Sequence, residues 1–292
     1  MSTTPELRCS VKRRRSPRLT LVLTKIALYL PLAVATLATF FPFWYMLVLS
    51  TKDKSHIFSS PPPMWPSGAF GLNYQSLLSQ VPFWRNFWNS LYIASIGTIL
   101  TLFFCSLAGF GFAMYRFRGR ELLFKLMLAT IMIPGWVMII PTFILMKALG
   151  WYNTPRALYL PGAASAMGIF MMRQYIGSAI PRELMDSARM DGCTEFGIYT
   201  RIVLPLIKPA LGALGIMSFV GQWNSFVMPL VMLRDKTTFT VPVALRSLQG
   251  LASVDYGAVM VGSVISTFPL IMVFIFMSRQ FISGLTRGAM KG

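Results

Sequence analysis

Residues 91–114 read LYIASIGTILTLFFCSLAGFGFAM, a continuous apolar run without a charged side chain. The hydrocarbon core of a membrane is about 30 Å thick, and a helix of roughly 20 residues crosses it. Five further apolar runs are long enough to do the same, at residues 19–49, 122–149, 157–175, 206–233 and 258–277. Because apolar residues in these runs do not alternate with polar ones, the runs predict helices and not the strands of a barrel. The sequence therefore predicts an all-α membrane protein built as a six-helix transmembrane bundle.

The composition agrees with this class of protein. Of the 292 residues, 55% are hydrophobic and only 12% are charged, whereas about a quarter of a soluble domain is charged. Prolines inside the runs predict kinks, because proline lacks the N–H that a regular helix uses and neighbouring helices can satisfy the freed carbonyls. The prolines concerned are Pro31, Pro42, Pro134, Pro141, Pro161, Pro229 and Pro269.

The distribution of basic residues predicts the orientation. Most of the 27 Lys and Arg fall in the amino-terminal tail, the second-to-third loop, the fourth-to-fifth loop and the carboxyl end. Short cytoplasmic loops carry such an excess. We therefore expect a multi-pass membrane protein with both termini cytoplasmic and residues 1–18 as a basic cytoplasmic tail. This topology and contact with anionic membrane lipid account for the net charge of +18, so no nucleic-acid partner is predicted.

Catalysis by this chain is not predicted. There is no G-x-x-x-x-G-K-[ST] phosphate loop, and no Ser/His/Asp or Cys/His arrangement stands out, so no catalytic residues are assigned. Neither His56 nor the separated Cys9, Cys105 and Cys193 have the spacing of a metal site. All nine acidic residues lie outside the six runs, which counts against an ion-coupled carrier, because such carriers usually keep a carboxylate within the membrane. Active transport would need energy from a partner.

The segment between the fourth and fifth runs is more polar than its surroundings. Residues 180–205 read IPRELMDSARMDGCTEFGIYTRIVLP. Pro181 suits a helix start and Gly192 can take the positive φ that ends a helix, so the segment predicts a helix, a tight turn and a second helix. Its apolar side chains are expected to anchor one face on the bundle and leave the other face for a partner. They are Leu184, Met185, Ala188, Met190, Phe196, Ile198, Tyr199 and Ile202.

This segment resembles the pattern E-A-A, three residues, G, nine residues, I-x-L-P of the permease subunits of bacterial ABC importers. The positions that match are Asp186, Ser187, Ala188, Gly192, Ile202, Leu204 and Pro205, with Asp in place of Glu and Ser in place of the first Ala. In that family the short helix docks into a cleft of the ATPase subunit. The resemblance implies that residues 19–292 are an ABC importer transmembrane domain with a cytoplasmic coupling helix, located in the bacterial inner (cytoplasmic) membrane. The implied ATPase-coupling residues are Glu183, Asp186, Ser187, Ala188, Asp191, Gly192, Ile202, Leu204 and Pro205.

The likeness extends to the carbohydrate-importer branch, in the position of the shorter maltose permease subunit. It is carried by residues 70–75, 83–90, 223–224, 241–242 and 284–292. The resemblance implies a second coupling contact by the carboxyl tail, at Gly288, Ala289, Met290, Lys291 and Gly292. It also implies three kinds of protein partner: a second homologous permease subunit, an ATPase dimer and an external solute-binding protein. This chain would bind no cofactor, since ATP and Mg belong to the ATPase subunits.

A polar group within the fifth run is the candidate substrate path. Gln222, Trp223, Asn224 and Ser225 offer amides and an aromatic ring, which suit a hydroxyl-rich ligand, although hydrogen bonding between helices would use the same groups. We expect a saccharide substrate. Basic residues outnumber acidic ones on the predicted outer face, which would favour an acidic oligosaccharide such as alginate. A polyol or glycerol phosphate permease, an ion-coupled secondary carrier and a membrane scaffold remain alternatives.

Overall fold

A computed structural model describes the backbone of residues 17–250 and 254–289 and the side chains of residues 24–250 and 254–277. Within these residues all regular structure is helical, which confirms the all-α prediction. The helices are α1 (Pro17–Ser50), α2 (Phe70–Gln80), α3 (Phe83–Met114), α4 (Arg120–Ala129), α5 (Ile139–Ala148), α6 (Arg156–Tyr159), α7 (Ala166–Ala179), α8 (Arg182–Met190), α9 (Glu195–Ile198), α10 (Leu204–Leu206), α11 (Lys208–Trp223), α12 (Val227–Met232), α13 (Val241–Ser247) and α14 (Tyr256–Ala289). A π-helical turn at Tyr199–Val203 joins α9 to α10.

Three helices of the described chain are long and apolar enough to cross a membrane alone. Their apolar stretches are Thr24–Ser50 in α1, Phe83–Met114 in α3 and Tyr256–Met277 in α14. A fourth crossing exists if Glu195–Leu206 and Lys208–Trp223, which meet at 80°, are counted as one bent span. The chain is thus a multi-pass membrane protein, and the count of six spans remains a prediction.

The third, fourth and fifth predicted runs are not continuous helices, and the fifth, 206–233, divides into α11 and α12. The run 122–149 divides into α4 and α5 around Pro134, and the run 157–175 divides into α6 and α7 around Pro161. Proline removes a helical hydrogen bond and collides with the preceding turn, so the helix stops. The predicted bends are therefore breaks at these two positions. The other prolines of the runs lie inside helices: Pro31, Pro42, Pro141, Pro229 and Pro269.

Helix α3 is the axis of the described structure, and α7 and α11 pack along it. One buried apolar cluster, which we name the α8 core, surrounds its carboxyl half. It comprises Cys105, Phe110, Ile169, Met172, Ile176, Ile180, Met185, Ala188, Ile198, Tyr199, Val203, Ile207, Ala210 and Leu214. A second cluster, the α2 core, surrounds its amino half. It comprises Leu77, Val81, Phe83, Phe87, Ala94, Phe219, Trp223, Val241, Leu248, Ala258, Val259 and Val261.

The buried carboxylate of Asp255 links three parts of the chain near the α2 core: the loop after α1, helix α2 and the start of α14. Asp255 is only 2% exposed and forms a 2.9 Å ion pair with Lys54. Ser76 donates a hydrogen bond of 2.5 Å to the same carboxylate, and the backbone N–H of Ala258 donates another. Burial raises the pKa of Asp255, but the bonds from Ser76, Lys54 and Ala258 outweigh it and hold the pKa below its ordinary value of 3.8. Asp255 therefore acts within the fold and is not a free charge of an outer loop.

Candidate functional site

The polar segment 180–205 folds as the sequence predicts, as a helix, a tight turn and a second helix. Helix α8 begins after Pro181 and ends at Met190. Gly192 follows in the left-handed region at φ 78°, and a side chain there would meet no atom within 4 Å. The requirement for glycine within this chain therefore lies in the backbone and not in packing. Thr194 then caps α9 by accepting a 3.1 Å hydrogen bond from the N–H of Gly197.

Helix α8 has one buried face and one exposed face. Met185 and Ala188 are buried in the α8 core. The predicted coupling residues Glu183, Asp186, Ser187, Asp191 and Gly192 are exposed, whereas Ala188 is not. An amphipathic helix of this kind is attached to its own bundle on one side and is open to a partner on the other.

The anchoring of this segment differs in part from the prediction. Met185, Ala188, Ile198 and Tyr199 are buried as expected, and Ile202 is half-buried. Three side chains predicted to anchor the segment are exposed instead: Leu184, Met190 at 89% exposure and Phe196 at 61%. These three side chains lie on the faces of α8 and α9 that do not pack against the bundle. Together with the exposed polar residues of α8, they form an apolar and acidic surface that is open within this chain.

The I-x-L-P part of the segment forms an elbow. Ile202 lies in the π-helical turn, and Leu204 and Pro205 form the start of α10, after which the chain bends by 80° into α11. Neither Pro205 nor Pro209 has an N–H, so two helical hydrogen bonds of this stretch cannot form. Insertions of π-helix are common at functional sites. The elbow connects the exposed segment directly to the helix that carries the candidate path.

A charged network joins the exposed segment to the end of α3. Arg189 donates hydrogen bonds to Asp186 at 2.9 Å and to Glu195 at 2.8 Å, and the hydroxyl of Tyr115 also donates to Glu195. The bond from Arg189 holds the pKa of Glu195 below its ordinary value of 4.5. Burial and the bond to Glu195 raise the pKa of Tyr115 to about 12. At neutral pH the network is therefore a carboxylate between two proton donors.

Sequence reasoning did not find Tyr115, Arg189 or Glu195 as site residues. Arg189 and Asp186 are spaced as neighbours on one helix face, which was a usable signal for one contact. Tyr115 lies 80 positions from Glu195, so only the tertiary structure brings them together.

The candidate path residues lie where α11 ends and the chain breaks before α12. Gln222 is half-buried and lines a cavity of about 280 Å³. Thr101, Ser165 and Ser218 are among the other residues that line it. Its side chain rests on Gly97, where an added Cβ would be 2.0 Å from the Gln222 Oε1. We name this space the Gln222 cavity.

Asn224 and Ser225 face a second space. They line a cavity of about 470 Å³ together with Trp136 and Met228, which we name the Asn224 cavity. Trp223 does not share it. Its indole is 3% exposed in the α2 core, with its ring centroid 5.9 Å from that of Phe219. Trp223 lines neither of these two cavities, and its place in the substrate path stays a prediction.

The predicted tail contact falls at the limit of the described chain. Gly288 and Ala289 belong to the last turn of α14, and nothing is described of their side-chain surroundings. Met290, Lys291 and Gly292 lie outside the described residues.

Long apolar helices, an exposed amphipathic segment and cavities between helices are typical of a membrane transport subunit. The sequence profile of the family described as "Binding-protein-dependent transport system inner membrane component" matches residues 106–287, which is more than half of the chain. The chain belongs to this family. It is accordingly a non-catalytic permease subunit of an ABC transporter.

Two curated relatives align with almost the whole chain. The arabinooligosaccharides transport system permease protein AraQ of Bacillus subtilis (strain 168) is 39% identical over 287 residues, which are 96% of this chain and 99% of that protein. The lactose transport system permease protein LacG of Rhizobium radiobacter is 37% identical over 273 residues, 94% of this chain and 96% of that protein.

The fold matches a solved structure as well. A chain in the crystal structure of a bacterial ABC transporter involved in the import of the acidic polysaccharide alginate superposes with a TM-score of 0.76 at 22% identity. The match covers 95% of this chain and 100% of that chain. At this identity the likeness concerns the fold alone.

Proposed function

We propose that this chain is the transmembrane permease subunit of an ATP-driven importer that moves saccharides across the bacterial inner membrane. The observation that carries the proposal is the exposed face of α8, because it displays the E-A-A-type residues Asp186 and Ser187 beside the left-handed Gly192. Relatives named for arabinooligosaccharides and lactose support a saccharide. Neither a polyol nor a glycerol phosphate appears in these names, and no buried carboxylate of a described span supports ion coupling.

The exposed surface of α8 and α9 is the proposed docking site for the ATPase dimer, whose subunits would bind ATP and Mg. Met190 and Phe196 would enter its cleft as apolar anchors, and Glu183, Asp186 and Asp191 would meet its polar rim. The tail from Gly288 to Gly292 would supply the second contact.

The proposed mechanism follows the covalent and hydrogen-bonded connections of α8. When ATP closes the ATPase pair, α8 moves with it. The Arg189, Glu195 and Tyr115 network passes this movement to α3, and the elbow at Pro205 passes it to α11. Because α3 and α11 pack against each other through Gly97 and Gln222, a shift between them changes the shape of the Gln222 cavity.

The substrate path would run past Gln222, Asn224 and Ser225. The side-chain amides of Gln222 and Asn224 and the hydroxyl of Ser225 can donate hydrogen bonds to sugar hydroxyls and accept hydrogen bonds from them. Trp223 would hold this stretch in place from the α2 core.

The rest of the assembly follows from the orientation. Six spans with both termini cytoplasmic put α8 inside and the loops around α2 and α13 outside. A second, homologous permease would complete the path, and a solute-binding protein would dock on the outer loops. The alginate transporter has also been solved in complex with an alginate pentasaccharide-bound periplasmic protein, in a structure whose chain matches this one with a TM-score of 0.62 at 17% identity.

The test is saccharide-stimulated ATP hydrolysis by the purified membrane complex with its binding protein. Neutral oligosaccharides and an acidic one such as an alginate oligomer are supplied in separate assays. The wild-type complex is expected to contain an ATPase whose turnover rises with one of these classes. Gly192→Asp should release or uncouple the ATPase, because a charged side chain then projects from the docking surface.

Gly119→Asp is the matched control. Gly119 is also left-handed, at φ 84°, and also has no neighbour within 4 Å of an added Cβ, but it begins α4 outside the docking surface. Equal loss of stimulation in both variants would mean that backbone strain, and not docking, is measured. Purification of the wild-type chain without any ATPase subunit would refute the importer proposal.

A further inference from the structure

A cavity rich in arginine lies beside the start of α8, away from the candidate path. It has a volume of about 400 Å³ and is bounded by the end of α3, the start of α4, α7 and the first residue of α8. Arg120, Arg173 and Arg182 line it together with Gln174 and Ser178. We name it the arginine cavity. Its size falls within the range of about 300–1,000 Å³ that is usual for small-ligand sites.

Two of the three guanidinium groups are held in fixed positions. Arg173 lies over the ring of Phe124, 3.7 Å from the centroid, and donates a 3.1 Å hydrogen bond to Glu121. Arg120 donates to Glu121 at 2.7 Å and to the carbonyl of Tyr115 at 3.2 Å. Positions fixed in this way need little ordering when a ligand binds.

The cavity keeps an excess of positive charge. The hydrogen bond from Arg120 lowers the pKa of Glu121, so this carboxylate is ionised, but it offers one negative charge against two guanidinium groups. Arg182 is exposed and forms no ion pair with any residue that the structure describes. A planar guanidinium group suits the oxygens of a phosphate, to which it can donate two parallel hydrogen bonds.

An exposed apolar strip begins next to this charge. Directly after Arg120 and Glu121, α4 presents Leu122, Leu123 and Leu126, which are 62%, 52% and 57% exposed. A ligand that fills both places has an anionic head and a hydrocarbon tail. A soluble phosphate would use the arginines and leave the leucines uncovered.

We propose that the arginine cavity binds the phosphate headgroup of an anionic phospholipid, whose acyl chains lie along α4. The proposal rests on the proposed orientation, which places α8 and this cavity at the cytoplasmic leaflet, where basic pockets between helices take such headgroups. Since Arg182 is the first residue of α8, a bound headgroup also holds the start of the coupling helix. The lipid composition would thereby adjust how firmly α8 is fixed to the bundle.

The test counts bound phospholipid on the assembled complex by native mass spectrometry. Complexes are transferred from nanodiscs of phosphatidylcholine containing a fraction of phosphatidylglycerol. Wild type is expected to retain phosphatidylglycerol in preference to phosphatidylcholine, and Arg182→Gln should retain about tenfold less, as for one lost charge-assisted hydrogen bond. Arg182→Lys keeps the charge but not the two-pronged geometry and should fall between them.

Lys208→Gln is the matched control, because Lys208 is an exposed basic residue of the first turn of α11 that does not line the cavity. It should retain as much phosphatidylglycerol as wild type. Equal retention by wild type and Arg182→Gln would overturn the proposal. Displacement of the lipid by millimolar glycerol phosphate would also overturn it and would indicate a site for soluble phosphates.

Saccharide-stimulated ATP hydrolysis is measured in the same nanodiscs. Stimulation without selective lipid retention would leave the importer proposal standing and remove the lipid site. Selective retention of phosphatidylglycerol by a complex whose ATP hydrolysis saccharide does not stimulate would leave the lipid site standing and remove the importer proposal. Thermal unfolding of the purified complex reports whether Arg182→Gln folds, since the recovery of ATPase subunits also depends on docking to α8.

Discussion

Glu195 accepts hydrogen bonds from Arg189 and from Tyr115, so a single carboxylate joins the exposed segment to α3. Each of these bonds involves an ionised partner, which makes it stronger than a bond between neutral groups. Arg189 also packs over the ring of Tyr115, with its guanidinium carbon 5.8 Å from the ring centroid. At the scale of the residue, this network connects α8 and α9 to the end of α3 outside the α8 core.

Glu195→Gln is expected to weaken coupling while leaving the complex assembled. The amide keeps the shape of the side chain but loses the charge, so the bonds from Arg189 and Tyr115 weaken. Saccharide-stimulated ATP hydrolysis should fall several-fold, and hydrolysis without saccharide should stay close to wild type. Arg118→Gln, at an exposed position of the loop between α3 and α4, is the control for the loss of one exposed charge. Unchanged stimulation in Glu195→Gln would contradict a role for the network.

The same residue predicts a pH dependence. The pKa of Glu195 is lower in the folded chain than its ordinary value of 4.5, so its contribution to stability is complete above about pH 4.5 and is lost as the pH falls through the lowered value. Thermal unfolding of the complex should therefore show a decline in midpoint below pH 4.5. This decline should be smaller in Glu195→Gln, where position 195 does not titrate, and an equal decline in both proteins would contradict the prediction.

Gly97 controls the position of the Gln222 side chain, because it has no side chain of its own at their contact. Gly97→Ala would place a methyl group 2.0 Å from Gln222 Oε1, so the amide must leave its position in the Gln222 cavity. We expect saccharide uptake to fall and the half-saturating concentration to rise, while the free energy of unfolding changes little, because the far end of the flexible Gln222 side chain can move aside. Gly111→Ala, on the same helix with no atom within 4 Å, should be neutral or slightly stabilising. Normal uptake by Gly97→Ala would remove Gln222 from the proposed path.

At the scale of the element, the elbow between α9 and α11 is the part that would pass movement of α8 to α11 in the proposed mechanism. The π-helical turn, Pro205 and Pro209 follow one another within a short stretch, and the bend of 80° results. The α8 core packs under this stretch through Val203 and Ile207, both fully buried. The elbow is thus supported on one side and is not a free linker.

Replacing both prolines should straighten the elbow. Pro205→Ala with Pro209→Ala restores two N–H groups, so regular helical hydrogen bonds can form across the break. Spin labels at the exposed positions Phe196 and Met217 should move farther apart, as measured by pulsed electron resonance distances. Saccharide-stimulated ATP hydrolysis should fall in the same variant. An unchanged distance would mean that packing under Ile207, and not the prolines, sets the bend.

At the scale of the whole molecule, the structure has two ends with different chemistry. One end holds α8, the arginine cavity and the Tyr115 network. The other end holds α2, the buried ion pair of Asp255 with Lys54, and a loop that Asn86 and Asn89 fasten to the start of α3. Helix α3 runs between them, and the apolar faces of α1 and α14 remain largely uncovered within this chain. In the proposed assembly, lipid and a second permease subunit would cover them.

The two ends should lie on opposite sides of the membrane. In a variant whose own cysteines are replaced, Thr237→Cys should react with a membrane-impermeant maleimide added outside intact cells. Arg118→Cys should react only after the membrane is opened. Both positions are exposed, so a difference in labelling reports the side of the membrane. The reverse pattern would place α8 outside and would refute both the ATPase docking and the lipid site at the cytoplasmic leaflet.

Prediction from sequence succeeded where the signal is local. The turn at Gly192 was found because one residue type tolerates left-handed backbone, and the helix after Pro181 was found from its composition. The run 122–149 reads as one kinked helix but breaks at Pro134, because composition alone does not distinguish a proline kink from a proline break. The surroundings of a side chain could not be predicted, because packing decides them: Trp223 is buried against Phe219.

By itself, the sequence determined that this is an all-helical membrane protein with an exposed helix-turn-helix, because apolar run length and motif spacing are properties of neighbouring residues. Only the tertiary structure decided which distant groups meet. It joined Tyr115 to Glu195, set Gln222 against Gly97 and gathered Arg120, Arg173 and Arg182 around one cavity. Such contacts depend on how α3, α7 and α11 pack, and that packing is fixed by the combined shape of many side chains and not by any one stretch of sequence.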